Sequence, residues 1–296
     1  MENQLEKTPR NPVKSLFERP EVQAKFKELM GKNASSFITS VLQIVASNDN
    51  LAKADPASIY HSAAVAATLS LPLNNNLGFA YIVPYNAKQP DGSYKQVAQF
   101  QMGYKGFIQL AQRSGQFKSI YSTPIYDGQI LEANPLDGYK FDFAAKKSDT
   151  IIGYAAKFTL VNGYEAVWYM TTEQIKKHGS KYSKTFGNKF GLWNTDFDAM
   201  ASKTVIKLLL SKFAPLSIDM QKAVISDQAI INNVDATDVT YIDNDEVVIN
   251  KEEERLRLLI EDSKTVKQLM QYADSITEPL ADLYETKLSE LSSKEM

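Results

Sequence analysis

QMGYKGFIQLAQRSGQFKSIYSTPIYD, residues Gln101 to Asp127, reads as a strand, a helix and a second strand in one run. Gly103 and Gly106 bracket Tyr104 and Lys105 at the expected helix start, where free backbone N–H groups and the helix dipole favour an anion. A helix from Tyr104 to about Ser114 places Lys105, Gln109, Gln112 and Arg113 at i, i+4, i+7 and i+8, while Phe107, Ile108 and Ala111 point elsewhere. Gly115 suits the C′ position that ends it. One face is then available to a ligand and the other packs. Spacing alone fits an ordinary amphipathic helix with a solvated polar face equally well.

Upstream, the chain is helical in texture. Residues 1–14 are polar, with Pro9 and Pro12, and read as a disordered N-terminus. Pro20 opens a helix through Met30, with Gly31 just beyond it. Ser35 or Ser36 is placed to cap a second helix carrying Phe37, Val41, Ile44 and Val45 at helical spacing. Asp55-Pro56 begins a third, from Ala57 to about Leu69, whose alanines suit close packing. From Leu71 the texture turns to β. Pro84 confines its strand to an edge or an end, and in Tyr94–Met102 the residues Ala98, Phe100 and Met102 alternate with Gln99 and Gln101 on the opposite face.

Downstream, Phe117–Tyr126 and Tyr139–Phe143 read as strands. Ile152 to Leu160, Asn162-Gly163 and Tyr164–Met170 read as a hairpin. A short helix ends near Lys177. The loop 177–191 then interleaves Lys177, Lys181, Lys184 and Lys189 with Tyr182, Phe186 and Phe190. Cations beside rings suit phosphates and bases of a single strand, and the same pattern also reads as a solvated loop with rings tucked inward. In the following helix Lys203 and Lys207 share a face, and Lys212 is turned roughly 140° from Lys207. The apolar residues around them make the helix a buried one, so these lysines must reach water or an anion. Trp193 either stacks on a base or packs in the core. Ser217–Ile231 reads as one more helix.

The strands are mostly consecutive, which predicts an α+β fold with a largely antiparallel sheet, a β-hairpin and helices on one side. Residues 15–231 form the core, 232–250 an acidic linker, and 251–296 a small helical C-terminal module with helices over Glu252–Ser263, Thr265–Ala273 and Glu278–Leu291. The net charge of −2 conceals a division. Residues 226–296 carry 17 acidic against 7 basic side chains, leaving 18 against 26 in the rest. A basic body suits a polyanion.

Several chemistries lack their parts. There is no cysteine, the two histidines, His61 and His178, stand alone, and no phosphate loop of the G-x-x-x-x-G-K-[ST] type occurs. Asp196 and Asp198 diverge on a helix, so neither a two-metal nuclease nor a metal site is expected. No cofactor, no catalytic residue and no membrane span is expected either.

The order GYKG, an apolar run, then AQRSGQ resembles the signature of the RecT family of phage-type single-strand annealing proteins. Trp193 to Phe213, WNTDFDAMASKTVIKLLLSKF, resembles that family's second block, and the similarity covers roughly residues 15 to 230. The resemblance implies a Rad52-like annealing fold assembled into rings or helical filaments. It implies ATP-independent binding and annealing of single-stranded DNA, with the single strand and the annealed duplex both as partners. Members work beside a 5′→3′ exonuclease in the cytoplasm of a bacterial host, encoded by phage or prophage, and some engage host single-strand-binding protein, a role that the acidic 251–296 suits. Tyr104, Lys105, Gln109, Arg113 and Lys118 are the DNA-binding candidates of the first block. Lys184, Lys189, Trp193, Lys203 and Lys207 are those of the second. The alternatives are a non-annealing single-strand scaffold and a metal-dependent nuclease.

Overall fold

A computed structural model describes residues 11–88, 92–134, 136–183, 185–189, 191–233, 236–240, 259–260, 262–273 and 281–294. Lys184, Phe190, residues 1–10 and most of the expected helix over Glu252–Ser263 lie outside these. The chain divides into two compact units, residues 1–243 and 244–296.

The first unit opens with helices. α1 (Pro12–Phe17) starts two residues before the expected end of the disordered N-terminus, because the Asn11 side chain accepts from the N–H groups of Val13 and Lys14. α2 (Pro20–Met30) begins on its proline and stops where Gly31 turns to φ +55°. α3 (Ala34–Ala46) starts ahead of Ser35 and Ser36, and no side chain caps it. α4 (Asp49–Ala52) leads into α5 (Pro56–Thr68), where the Asp55 carboxylate accepts from Ser58 N–H. Phe17, Phe26 and Phe37 pack with Tyr60 to tie α1, α2, α3 and α5 together. Burying each such phenylalanine contributes about 1.5–3 kcal/mol.

The alanines of α5 let it lie flat on a hairpin of β1 (Ala80–Lys88) and β2 (Tyr94–Met102), paired from Ala80↔Met102 to Lys88↔Tyr94. Ser58 Oγ accepts from Ala98 N–H at 2.8 Å, and Asp55 N–H donates to Gln96 at 2.9 Å. Gln99 and Gln101 lie on the face opposite Ala98, Phe100 and Met102, and both are buried. Gln99 is covered where the chain after α10 (Ile218–Ser226) returns beside β2: Gln228 N–H donates to Phe100 O, and Phe100 N–H to Ala229 O. The expected helix through Ile231 therefore ends at Ser226. Gln228 takes φ +65°, and β8 (Ile230–Ile231) pairs instead with β9 (Val239–Thr240).

α6 (Tyr104–Arg113) carries the chain from β2 to β3 (Phe117–Tyr126). β4 (Ile130–Asn134) and β5 (Gly138–Phe141) form a small hairpin, while β6 (Ile151–Leu160) pairs with both β3 and β7 (Glu165–Thr171). Among the described residues every strand pair is antiparallel, with one isolated parallel bridge between Leu73 and Ala80, and the strands fall into four small sheets rather than the single one expected. The fold is α+β. α7 (Thr172–Tyr182), opened by a capping box between Thr171 and Gln174, outruns its expected end at Lys177 and closes with Ser183 N–H on Gly179 O. α8 (Leu192–Thr195) precedes α9 (Phe197–Phe213), which packs across β3, β6 and β7.

In the second unit, helices span Val266–Met270 and Ala281–Lys294, and Ile260, Leu269 and Leu291 form a small core with Val266, Tyr284 and Leu288.

Candidate nucleic-acid interface

The start of α6 is shaped by its glycines. Gly103 N–H donates to Phe79 O at 2.9 Å. A Cβ on Gly103 would sit 2.0 Å from Gly78 O, and one on Gly106 would sit 2.2 Å from Phe79 O. Both glycines therefore let the chain at 78–79 press directly on the first turn. No side chain caps this end. Phe107, Leu110 and Ala111 are buried as the spacing requires, Ile108 is half-buried, and Lys105, Gln112 and Arg113 are exposed. Gly115 ends the helix at φ +71°.

The second block is held by packing. Trp193 is 6% exposed and lies between Phe186 and Phe197, at 5.4 and 6.0 Å between ring centres. A Cβ on Gly179 would meet both Phe186 and Trp193 within 3 Å. These contacts hold the indole by packing. Asp196 caps α9 by accepting from Ala199 N–H, and the Tyr154 hydroxyl donates to Asp198. Burial, then the bond to Asp198, pushes the Tyr154 phenol well above its ordinary value. Tyr81 is raised by burial and then by Asp196 and Tyr104.

These two starts meet. A cleft of about 360 Å³ is lined by Asn75, Asn76 and Gly78, by Tyr81 and Gln101, by Gly103 to Lys105, and by Leu192, Asp196, Asp198, Met200 and Lys203. The stretch around Lys105 and the stretch around Lys203, almost 100 residues apart, thus form walls of one cavity. Lys105 is exposed at the mouth; Asp196 and Asp198 bring negative charge to the facing wall.

Other candidates fall elsewhere. Lys203 and Lys207 do share a face, but the anion they reach belongs to the protein. Asp227 is fully buried and accepts from Lys203 Nζ at 2.8 Å, from Lys207 Nζ at 2.7 Å and from Met102 N–H at 2.9 Å. Burial alone would raise its carboxyl. The two ammonium groups outweigh that and hold it below the usual carboxylate range. Arg113 donates to Leu69 O at 2.6 Å, a cation on the carbonyl that follows α5. Gln109 is half-buried, and its Oε1 has no partner among the described residues. Lys118 is exposed on β3, near Glu165 of β7, and does not line the cleft. Lys189 is exposed in the turn after α7. His178 packs on Tyr182, and burial followed by Lys207 and Lys181 holds it below its ordinary value.

Sequence reasoning read turn residues at Asn74 to Asn76 and the chain does turn there, but it did not place that turn or Tyr81 at the site, and it missed Asp227. The asparagines signal the turn locally, but nothing local places it or Tyr81 against α6; that contact is set by Gly103 and Gly106. Among the described residues no group of three His, Cys, Asp or Glu is arranged to hold a metal ion, and no helix is long and apolar enough to cross a membrane.

The sequence profile of the RecT family matches residues 35–241, a span that contains the whole cleft. The chain belongs to the RecT family. It is 30% identical to Protein RecT of Escherichia coli (strain K12) over 214 residues, 69% of this chain and 75% of that one. It is also 47% identical to the uncharacterized protein YqaK of Bacillus subtilis (strain 168) over 226 residues, 76% of this chain and 75% of that one. RecT-family membership makes this a phage-type recombination protein of the class that binds and anneals single-stranded DNA. Both blocks of the cleft lie inside the matched span, whereas the second compact unit lies outside it.

Proposed function

We propose that the protein is an ATP-independent single-strand annealing protein whose DNA path runs through the cleft between the α6 and α9 starts. The observation that carries this reading is the meeting of Gly103–Lys105 with Leu192–Lys203 in one cavity. Lys105 and the uncapped first turn of α6 face the sugar-phosphate backbone, where cations and N–H groups bind phosphate. Asp196 and Asp198 repel phosphate and keep it on the α6 side. Base edges stay available to a complementary strand, and pairing itself drives annealing. Lys118 and Lys189 extend the positive surface beyond the cleft. Tyr104, half-buried beside Lys105, offers a ring for a base.

Copies of the chain act together as a ring or helical filament, since modest contacts repeated along a strand provide avidity. The single strands come from a partner 5′→3′ exonuclease in the cytoplasm of a bacterial host. Residues 251–296, rich in acidic side chains, repel DNA and suit docking to host single-strand-binding protein.

The test mixes two complementary oligonucleotides with the protein and no nucleotide triphosphate. Faster duplex formation is expected. Lys105→Ala should slow it and flatten the salt dependence of single-strand binding by roughly 0.7 in log–log slope, one phosphate contact. Protection without faster pairing would mean a coating scaffold, and shortened strands in magnesium would mean a nuclease. Either result refutes the proposal.

A further inference from the structure

A second cavity of about 180 Å³ adjoins the cleft and shares Gln101, Leu192 and Met200 with it. Its chemistry differs. The cleft is lined by Lys105, Lys203, Asp196 and Asp198, but no charged side chain is among the described residues that line the chamber. Apolar surface comes from Val83, Leu192, Met200 and the Trp193 ring. Polar edges come from Ser183 and Thr185, whose hydroxyls bond each other at 3.0 Å, and from Gln101, which donates to Tyr85 at 3.1 Å. Trp193 is more than nine-tenths buried, and its Nε1 finds no hydrogen-bond partner among the described residues.

The described lining carries no charge to offset the desolvation of a phosphate. A nucleobase, apolar on its faces and hydrogen-bonding at its edge, matches it. We propose that the chamber takes one unstacked base of the bound strand while the neighbouring cleft holds the backbone, an inference that rests on the single-strand reading above. Leu192 and Met200 form the sill between the two spaces and contact the base faces; methionine sulfur is well suited to aromatic rings. Hydroxyls and an amide both donate and accept, so the chamber takes any of the four bases. That base is withheld from pairing while it is bound, and its neighbours in the cleft keep their edges free for the complementary strand.

Two measurements test it. An oligonucleotide carrying 5-iododeoxyuridine, bound to the full chain and irradiated, should crosslink to Tyr85 or Trp193, which line the chamber and not the cleft. Crosslinks confined to Tyr81 and Tyr104 would overturn the proposal. The second compares an oligothymidylate with an abasic strand of equal length. A single base–protein stack gives the wild type a preference of roughly tenfold for thymidine. Val83→Trp, which fills the chamber, should reduce that preference to near parity and leave abasic-strand affinity within about twofold. Full retention of the preference refutes the chamber. A V83W chain that also loses the abasic strand is misfolded, and the crosslink then decides. If neither strand binds the wild type, the single-strand reading itself fails, a result distinct from failure of the chamber alone.

Discussion

Replacing Asp227 by alanine should destabilise the first unit more than any surface change. The carboxylate is fully buried, holds Lys203 and Lys207 at 2.8 and 2.7 Å, and accepts Met102 N–H. Removing it leaves Lys203, 6% exposed, as a buried cation without its counter-ion, and deprives the backbone next to Gly103 of its acceptor. Breaking a buried ion pair from one side costs about 3–5 kcal/mol. In a unit of this size that lowers Tm on the order of 10 °C. Urea unfolding of the wild type, Asp227→Ala and the triple variant Asp227→Leu, Lys203→Met, Lys207→Met is the assay. The triple variant should recover most of the loss, because apolar groups of similar shape need no desolvation. The sign in pH follows from the depressed carboxyl. Its contribution is complete above the unfolded value of 3.8 and fades as pH falls through the lower folded value. Asp227→Asn should therefore lose part of the wild type's acid sensitivity. A loss below about 1 kcal/mol for Asp227→Ala would refute the account, since it would mean that the lysines find water or another anion at no cost.

Arg113→Ala should cost about 1.5–3 kcal/mol of stability, the worth of a charged hydrogen bond, through the lost contact to Leu69 O, and leave the salt slope of DNA binding unchanged; a shallower slope would put Arg113 on a phosphate. Gly106→Ala should disrupt the α6 start, since its Cβ would lie 2.2 Å from a backbone oxygen; a stable, DNA-binding G106A chain would contradict that. A chain ending at Asp243 should unfold cooperatively and anneal oligonucleotides, because the core of the first unit is built from its own residues; loss of annealing would assign residues 244–296 to the core function.

What the sequence made legible was local. Asn162-Gly163 announces the β6–β7 turn, and Gly163 takes φ +89° there. Pro20, Pro56 and Gly31 mark helix ends because each acts on its own backbone. The partners of Lys203, Lys207 and Arg113 were not legible, since periodicity shows which residues share a face and not what faces them. Asp227 stands 20 residues or more from both lysines, and Leu69 stands 44 from Arg113. Gln99 and Gln101 alternate with apolar residues as on a half-exposed strand. Gln99 is covered where Gln228 to Ile231 returns beside β2, its amide donating to Gln228 O at 2.5 Å, and Gln101 donates to Tyr85 and to Gln99.

The charge in the cleft carries a further step. Lys105 and Lys203 face Asp196 and Asp198, so the four formal charges on its walls cancel, and Lys203 is already satisfied by Asp227. One subunit can then neutralise few phosphates, and counterion release at a single cleft is small. Beyond what Lys118 and Lys189 add outside the cleft, affinity for a strand comes either from contacts to bases or from the same weak cleft repeated along an oligomer. These sources differ in their signature. Base contacts survive high salt in a single copy, whereas avidity disappears when the strand is shorter than the span of two subunits. Single-strand binding measured against salt and strand length together separates them, and a steep salt dependence on a strand that only one subunit can cover would contradict both.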